Sequence, residues 1–171
     1  MAGKSAGAVQ FNSANQYIEV NGVAVNTAAG GSNTVAFWMN WGGGNLQMPF
    51  GWNTNYNLFL YNGYFGINTG NADALGISSA GLANQWVHVA VVFPNDVPSP
   101  ANSKIYINGA LQTITQLKGT PLSRAATPGV FISGWGFDSG YRFGGSLDDV
   151  RIYCRELAAG EITALAGGSS P

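Results

Sequence analysis

The stretch 57-NLFLYNGYFGIN-68 indicates a β fold, because its pattern predicts two short strands joined by a tight turn. Asn62-Gly63 is a dipeptide favoured by two-residue hairpin turns, since both positions of such a turn need a positive φ angle. Pairing outward from that turn places Tyr61 opposite Tyr64. One face of the hairpin is then wholly apolar and is predicted to lie in the core; it consists of Leu58, Leu60, Phe65 and Ile67.

The opposite face of this hairpin combines aromatic rings with amide side chains. Phe59, Tyr61 and Tyr64 lie on it between Asn57 and Asn68, and a glycine stands opposite Phe59. Aromatic rings can stack on the C–H faces of sugars, while amide and phenol groups hydrogen-bond to hydroxyls. The pattern therefore indicates a sugar-binding surface, or an aromatic cluster that only stabilises the hairpin or is covered by another element.

The remaining chain shows many short strand patterns separated by Gly, Pro and Asn. NTVAFWMNW (33–41) and QWVHVAVVF (85–93) are long strands, and KIYINGALQTI (104–114) is a second hairpin that turns at Asn108-Gly109. Only LAAGEITALA (157–166) has a helical pattern. These features predict an all-β fold, a two-sheet antiparallel β-sandwich (jelly roll) with one short C-terminal helix. We expect one domain over residues 9–166, with 1–8 as an added or linker segment and 167–171 as linker.

Composition and charge exclude several classes of protein. Charged residues make up only 9% of the chain, the net charge is −1, and no basic block is present, so a nucleic-acid partner is not expected. No apolar run reaches the roughly 18 residues that a membrane span needs. The first residues lack the apolar segment of a signal peptide. Cys154 is the single cysteine, so no internal disulfide can form; by strand alternation it is expected in the core.

The segment 145-GSLDDVRIYCREL-157, followed by Glu161, Ile162 and Leu165, carries a family resemblance. Together with NTVAFWMNW and QWVHVAVVF…KIYINGAL it resembles the laminin-G-like, concanavalin A-like lectin/glucanase jelly rolls over residues Val9–Leu165. Ala158 departs from that pattern, because a helix-capping serine is usual there. The resemblance implies two antiparallel sheets with a concave front, and a binding module attached to a secreted bacterial glycoside hydrolase, lyase or adhesin. It also implies that a calcium ion can join the two ends of the chain.

The residues that enzymes of this kind use for catalysis are missing or badly spaced in the sequence. Glucanases that share this fold carry two carboxylates on one strand face, whereas Glu19, Glu156 and Glu161 have no such spacing. The only histidine, His88, lies within a mostly apolar strand and is predicted to be structural. One histidine and one cysteine cannot supply a zinc site. The sequence therefore predicts a protein that is not an enzyme.

Aromatic residues in loops rich in Gly and Asn supply the remaining binding candidates. Trp52 is accompanied by Asn53, Asn55 and Tyr56, and Trp135 by Asp138, Tyr141 and Arg142. A ring in such a loop serves either as a sugar platform or as a cover for the rim of the sandwich, and both interpretations stay open. The predicted carbohydrate-binding residues are Trp52, Asn53, Asn55, Tyr56, Tyr61, Tyr64, Trp135, Asp138, Tyr141 and Arg142.

Asp148 and Asp149 form a rare acidic pair in a chain with only eight acidic residues. Strict alternation places Asp149 on the face of Arg151, as a surface ion pair, and Asp148 on the apolar face. A carboxylate at the edge of the core needs a compensating charge or several donors. Calcium held by Asp148 and by the stretch near Asn12 would satisfy it, and so would backbone amides or a buried water.

The function predicted at this stage is a non-catalytic carbohydrate-binding module that recognises a polysaccharide or oligosaccharide. We expect it to be extracellular, as part of a larger secreted protein, and tethered to a catalytic domain. The alternative is a structural or protein-interaction domain of an adhesin, surface or phage protein.

Overall fold

A computed structural model describes residues 3–5, 7–54 and 56–168. Its strands, in chain order, are β1 (Val9–Asn12), β2 (Ile18–Val20), β3 (Ser32–Trp41), β4 (Phe50–Trp52), β5 (Tyr56–Tyr61), β6 (Tyr64–Asn68), β7 (Ala74–Ser78), β8 (Trp86–Pro94), β9 (Lys104–Ile107), β10 (Ala110–Leu111), β11 (Thr115–Lys118), β12 (Val130–Ile132) and β13 (Gly144–Tyr153). One helix, α1, spans Ala159–Ala166. No helix in these residues is long and apolar enough to cross a membrane.

The strands form two antiparallel sheets, which confirms the predicted sandwich. The six-stranded sheet has the order β1-β13-β3-β8-β9-β10, and the seven-stranded sheet has the order β11-β7-β6-β5-β4-β12-β2. The hairpin register is the one that the Asn62-Gly63 turn predicts, with Tyr61 opposite Tyr64 and Asn57 opposite Asn68. The second hairpin turns at Asn108-Gly109 as expected, with Ile107 opposite Ala110.

The core lies between the two sheets and follows the alternation of the strands. Val35, Phe37 and Met39 point inward from β3, and Val87, Val89, Val91 and Phe93 point inward from β8. The apolar hairpin face meets them from the seven-stranded sheet, because Leu58, Leu60, Phe65 and Ile67 are fully buried. This arrangement leaves one outer face on each sheet for other roles.

Helix α1 covers the outer face of the six-stranded sheet. Leu157, Ile162 and Leu165 are buried there against Ala36, Ala90 and Tyr106. Ala158 offers no capping oxygen, but the Glu161 side chain accepts a hydrogen bond from the Ala158 N–H at 2.8 Å, which satisfies one free donor of the first turn. Cys154, expected in the core, is exposed because β13 ends at Tyr153.

Candidate functional site

The outer face of the seven-stranded sheet carries a groove of about 360 Å³. The hairpin supplies its floor, because Phe59 and Tyr61 point away from the core. The loop between β12 and β13 supplies one wall through Trp135 and Tyr141. The other described residues that line the groove are Leu46, Met48, Asn68, Gly70, Ala72 and Lys118.

The aromatic rings of the groove hold one another in position. Phe59 stacks on Tyr61 with ring centroids 5.1 Å apart and planes 11° from parallel. Tyr141 meets Phe59 edge-on at 5.9 Å, and Trp135 meets Tyr141 edge-on at 5.4 Å. Such contacts contribute about 0.5–1.5 kcal/mol each beyond the area they bury. The rings thus hold one another in place, and Tyr61, Trp135 and Tyr141 are each only half-buried.

Two glycines next to these rings keep part of the sheet free of side chains. Gly66 lies opposite Phe59, and Gly76 lies opposite Gly66 on the neighbouring strand. A Cβ atom on Gly66 would lie 2.4 Å from the Leu75 carbonyl oxygen, and one on Gly76 would lie 2.1 Å from the Phe65 carbonyl oxygen. The two strands therefore approach too closely for any larger residue at either position.

Lys118 is the one charged side chain among the described residues that line the groove. It belongs to the edge strand β11, which pairs with β7. Its ammonium group lies 4.5 Å from the centroid of the Tyr61 ring, a cation–π contact. Sequence reasoning missed this residue, since no local pattern connects β11 with the hairpin of β5 and β6.

The loop that carries Trp135 and Tyr141 is shaped by Arg142 and Asp138. The Arg142 guanidinium is buried, donates from Nη1 to the carbonyl oxygens of Ser133 (2.9 Å) and Gly136 (3.0 Å), and stacks 4.5 Å over the Tyr17 ring. Asp138 accepts a hydrogen bond from the Gly140 N–H at 2.7 Å. Both residues were predicted to contact sugar. Arg142 is buried and positions the loop from the side away from the groove, whereas Asp138 is exposed, caps the short turn Ser139–Tyr141 and does not line the groove.

Trp52 and Tyr56 are not part of the groove, which corrects the prediction that they bind sugar. Both are fully buried between the sheets, where each meets Phe93 edge-on. They form a cross-strand pair whose side chains point inward. Burial raises the pKa of Tyr56 well above its ordinary value, with smaller contributions from Asp73 and Asp96.

The other predicted residues lie around the groove or outside it. Tyr64 is half-buried, with its ring 6.5 Å from that of Tyr61, but it does not line the groove. Asn53 is exposed in the turn after β4, where its φ angle is 52°, and it does not line the groove either. Asn55 lies outside the described residues. The structure thus brings together Tyr61, Trp135 and Tyr141 from the predicted set.

Asp148 and Asp149 occupy the other sheet, and a β-bulge changes their orientation. Asp148 lies opposite Trp38 and Arg151 opposite Ala36, so two residues of β13, Asp149 and Val150, face a single residue of β3. Asp149 has a φ angle of 50°. The bulge shifts the alternation, which puts Asp148 on the outer face and corrects the expectation that it points with Val150. The predicted ion pair is confirmed, with Arg151 Nε 2.8 Å from Asp149 Oδ1.

The Asp148 carboxylate is satisfied by backbone amides rather than by the arrangement predicted for calcium. Its Oδ2 atom accepts hydrogen bonds from the N–H groups of Lys4 at 2.7 Å and Ser5 at 2.8 Å. Asn12 lies opposite Gly144, four positions from Asp148 along β13 and so about 13 Å away. No cluster of three or more His, Cys, Asp or Glu exists among the described residues. Asp148 and Asn12 therefore do not fit a shared calcium site.

His88 is buried on the outer face of the six-stranded sheet. Its ring meets Trp38 edge-on at 5.3 Å, and its Nδ1 atom has no hydrogen-bond partner within the described residues. Burial is the main cause that lowers its pKa to about 4; Asp149 raises the pKa and Arg151 lowers it further. His88 is consequently a neutral structural residue on the sheet that does not carry the groove.

A protein-family model described as the concanavalin A-like lectin/glucanases superfamily matches residues 11–163. No curated protein sequence matches the chain significantly.

Several solved structures share the fold. Domain 4 of AbnA, an extracellular GH43 arabinanase from Geobacillus stearothermophilus in complex with arabinotriose, is 20% identical with a TM-score of 0.65, over 97% of this chain and 79% of that domain. The binding domain of Paraclostridial Mosquitocidal Protein 1 is 17% identical with a TM-score of 0.66, over 98% and 45%. The ligand-binding domain of botulinum neurotoxin serotype D in complex with N-acetylneuraminic acid is 17% identical with a TM-score of 0.56, over 91% and 40%. The chain thus spans less than half of these two toxin domains.

Proposed function

The chain belongs to the concanavalin A-like lectin/glucanases superfamily, and we propose that it is a non-catalytic carbohydrate-binding domain. The ligand is an oligosaccharide or a stretch of polysaccharide that lies in the groove on the outer face of the seven-stranded sheet. In the native polypeptide the domain is extracellular and is tethered to a catalytic domain of a larger secreted protein.

The observation that carries this proposal is the ordered aromatic lining of the groove. Tyr61, Trp135 and Tyr141 present half-buried rings around an open volume of about 360 Å³. Their mutual contacts keep the rings in place, so little conformational entropy is lost when a sugar stacks on them. The hydroxyl groups of Tyr61 and Tyr141 supply hydrogen bonds to sugar hydroxyls.

Two of the structural neighbours support the same class of ligand. The arabinanase domain was solved with arabinotriose and the neurotoxin domain with N-acetylneuraminic acid. The first of them is also a domain of an extracellular glycoside hydrolase, which supports the tethered and secreted arrangement. Sequence identities near 20% with these neighbours indicate a shared fold but not a shared ligand, so the proposal of a sugar ligand rests on the residues of the groove.

Binding without hydrolysis is favoured by where the glutamates lie. Most glycosidases flank the scissile bond with two carboxylates, and none of the described lining residues of the groove is an acid. Glu156 pairs with Lys104 at 2.5 Å and Glu161 pairs with Arg155 at 2.6 Å, both near α1 and the six-stranded sheet. Glu19 lies on the exposed edge strand β2.

The proposal is tested by substitutions inside and outside the groove. We expect Trp135→Ala or Tyr141→Ala to weaken binding about tenfold on a glycan array and in pull-downs with insoluble polysaccharides, because each removes a stacking ring. Phe137→Ala is the matched control: this ring is 71% exposed but does not line the groove. Wild-type protein that binds no glycan, or equal loss in the control and the groove variants, would contradict the assignment.

A second candidate function is protein interaction, and it rests on a different surface. Strand β2 is an edge strand with Ile18 and Val20 more than one-third exposed, and the rings of Tyr17 and Phe137 meet beside it at 6.0 Å. Apolar edges of this kind can pair with another chain. Self-association in sedimentation velocity that Phe137→Ala abolishes would favour this function; a monomer at all concentrations would argue against a second copy as the partner.

A further inference from the structure

The free polar side-chain groups in the groove can all donate hydrogen bonds, and one of them is a cation. They are the Lys118 ammonium group and the hydroxyl groups of Tyr61 and Tyr141. Within the described residues, none of these three groups makes a hydrogen bond, and Lys118 forms no ion pair; its contact is the cation–π contact with Tyr61. A hydroxyl can also accept, but the ammonium group can only donate.

The neighbouring polar side chains are hydrogen-bonded or buried, so they are not offered to a ligand in the groove. Asn68 donates from Nδ2 to the Asp73 carbonyl oxygen at 2.6 Å, and its Oδ1 atom accepts from the Gly70 N–H at 2.8 Å. The Asp73 carboxylate is only 1% exposed; its Oδ1 atom accepts from the N–H and the hydroxyl of Thr69, and its Oδ2 atom is buried without a hydrogen-bond partner among the described residues. The Asp73 carboxylate is therefore buried and does not line the groove, so Lys118 is the charged side chain that contacts a ligand there.

We propose that the groove selects glycans that carry carboxylate groups, such as chains of uronic acids. A carboxylate is a pure acceptor with a full negative charge, which complements a donor-only cation beside two phenol donors. When the sugar ring stacks on the aromatic platform, the Lys118 ammonium group leaves the Tyr61 ring and pairs with the carboxylate. This inference rests on the proposed carbohydrate-binding function and names its class of ligand.

The position of Lys118 favours this exchange. An ammonium group 4.5 Å above the Tyr61 ring already occupies the space beside the aromatic surface, so it needs only a change of side-chain rotamer to reach a bound sugar. A neutral sugar would have to displace the cation from the ring without an ion pair in return. An acidic sugar replaces the lost contact with a charge-assisted hydrogen bond, which is among the stronger polar contacts in proteins.

The test compares each acidic oligosaccharide with its own methyl ester. Oligogalacturonate, oligoglucuronate, their fully methyl-esterified forms and a neutral oligoarabinose are titrated against the whole chain by isothermal calorimetry at 20 mM and 500 mM NaCl. We expect at least one acid to bind about three- to tenfold more tightly than its ester at low salt, and the preference to shrink at high salt because mobile ions screen the pair. Lys118→Gln should abolish the preference, whereas Lys104→Gln, on the other sheet, should retain it.

The outcomes separate the two levels of the proposal. If esters and neutral sugars bind through Trp135 and Tyr141 as tightly as the acids do, the selection by charge is wrong and the carbohydrate-binding function stands. If an acid is preferred but Lys118→Gln keeps the preference, the assignment to Lys118 is wrong. If no glycan binds in calorimetry or on the array, both proposals fail together.

Discussion

Acidification from pH 8 to pH 5 should lower the free energy of unfolding by about 2 kcal/mol, and His88 should account for most of that loss. This residue is the only histidine in the chain, and it is 2% exposed with its ring against Trp38. Aspartates and glutamates titrate mainly below pH 5, so a single side chain dominates the interval between pH 5 and pH 7.

The magnitude follows from two pKa values. The folded state holds the pKa of His88 at about 4, while an unfolded chain restores the ordinary value of 6.5. Between these values only the unfolded state binds the proton, so each pH unit below 6.5 costs the folded state up to about 1.4 kcal/mol. The contribution of His88 is fully present above pH 6.5 and is lost progressively as the pH falls toward 4.

Urea unfolding followed by tryptophan fluorescence at pH 8, 7, 6 and 5 measures this dependence. The matched variant is His88→Gln, which keeps a neutral polar side chain but cannot take up the proton. We expect the stability of the variant to stay nearly flat between pH 7 and pH 5. At pH 8 the variant should be less stable than the parent, because packing against Trp38 is lost, and this difference should shrink by about 2 kcal/mol as the pH falls to 5. A parent protein with a flat profile, or a variant with the parent's slope, would show that His88 does not control this pH dependence.

Two further predictions concern stability. Asp148→Ala should lower the free energy of unfolding by about 1–2 kcal/mol in urea titrations, because the backbone N–H groups of the exposed Lys4 and Ser5 lose an acceptor but can bond to water. EDTA or added Ca²⁺ should leave the melting temperature of the parent protein unchanged. A rise of several degrees with calcium would restore the metal hypothesis. Gly76→Ala should lower the free energy of unfolding by about 3 kcal/mol or more, since its Cβ would lie 2.1 Å from the Phe65 carbonyl oxygen. Gly160→Ala is the control; this position in α1 has open space, so the change should be neutral or slightly stabilising in the same urea titrations. Equal effects of the two substitutions would argue against the close approach of β6 and β7.

Local patterns in the chain predicted much of the fold because local forces decide those parts. The Asn-Gly turns set the registers of both hairpins, and alternation in β8 separated the inward valines from His88. Strands β4, β7 and β11 escaped prediction, since they are three to five residues long and carry glycine or polar residues where a strand pattern needs apolar ones.

The candidate site was predicted only in part, because a side chain's neighbours come from distant strands. Trp52 and Trp135 lie in similar loop sequences, yet the first is buried between the sheets and the second lines the groove. Trp52 forms a cross-strand pair with Tyr56 whose side chains point into the core. Trp135 lies in a loop on the outer face of the sheet, and Arg142 holds that loop by a hydrogen bond to the Ser133 carbonyl oxygen. Neither pairing is visible in the local sequence.

Turn preference and alternation act over a few residues, so the amino-acid sequence was enough to predict the all-β class, the two hairpins, the apolar face of the core and the aromatic character of the outer face. Three features required the folded arrangement: which rings form the groove, the contact of Lys118 with Tyr61 from an edge strand, and the bulge at Asp149 that reverses the expected direction of Asp148. These outcomes depend on strand order and on register shifts, and both result from packing between segments far apart in the chain.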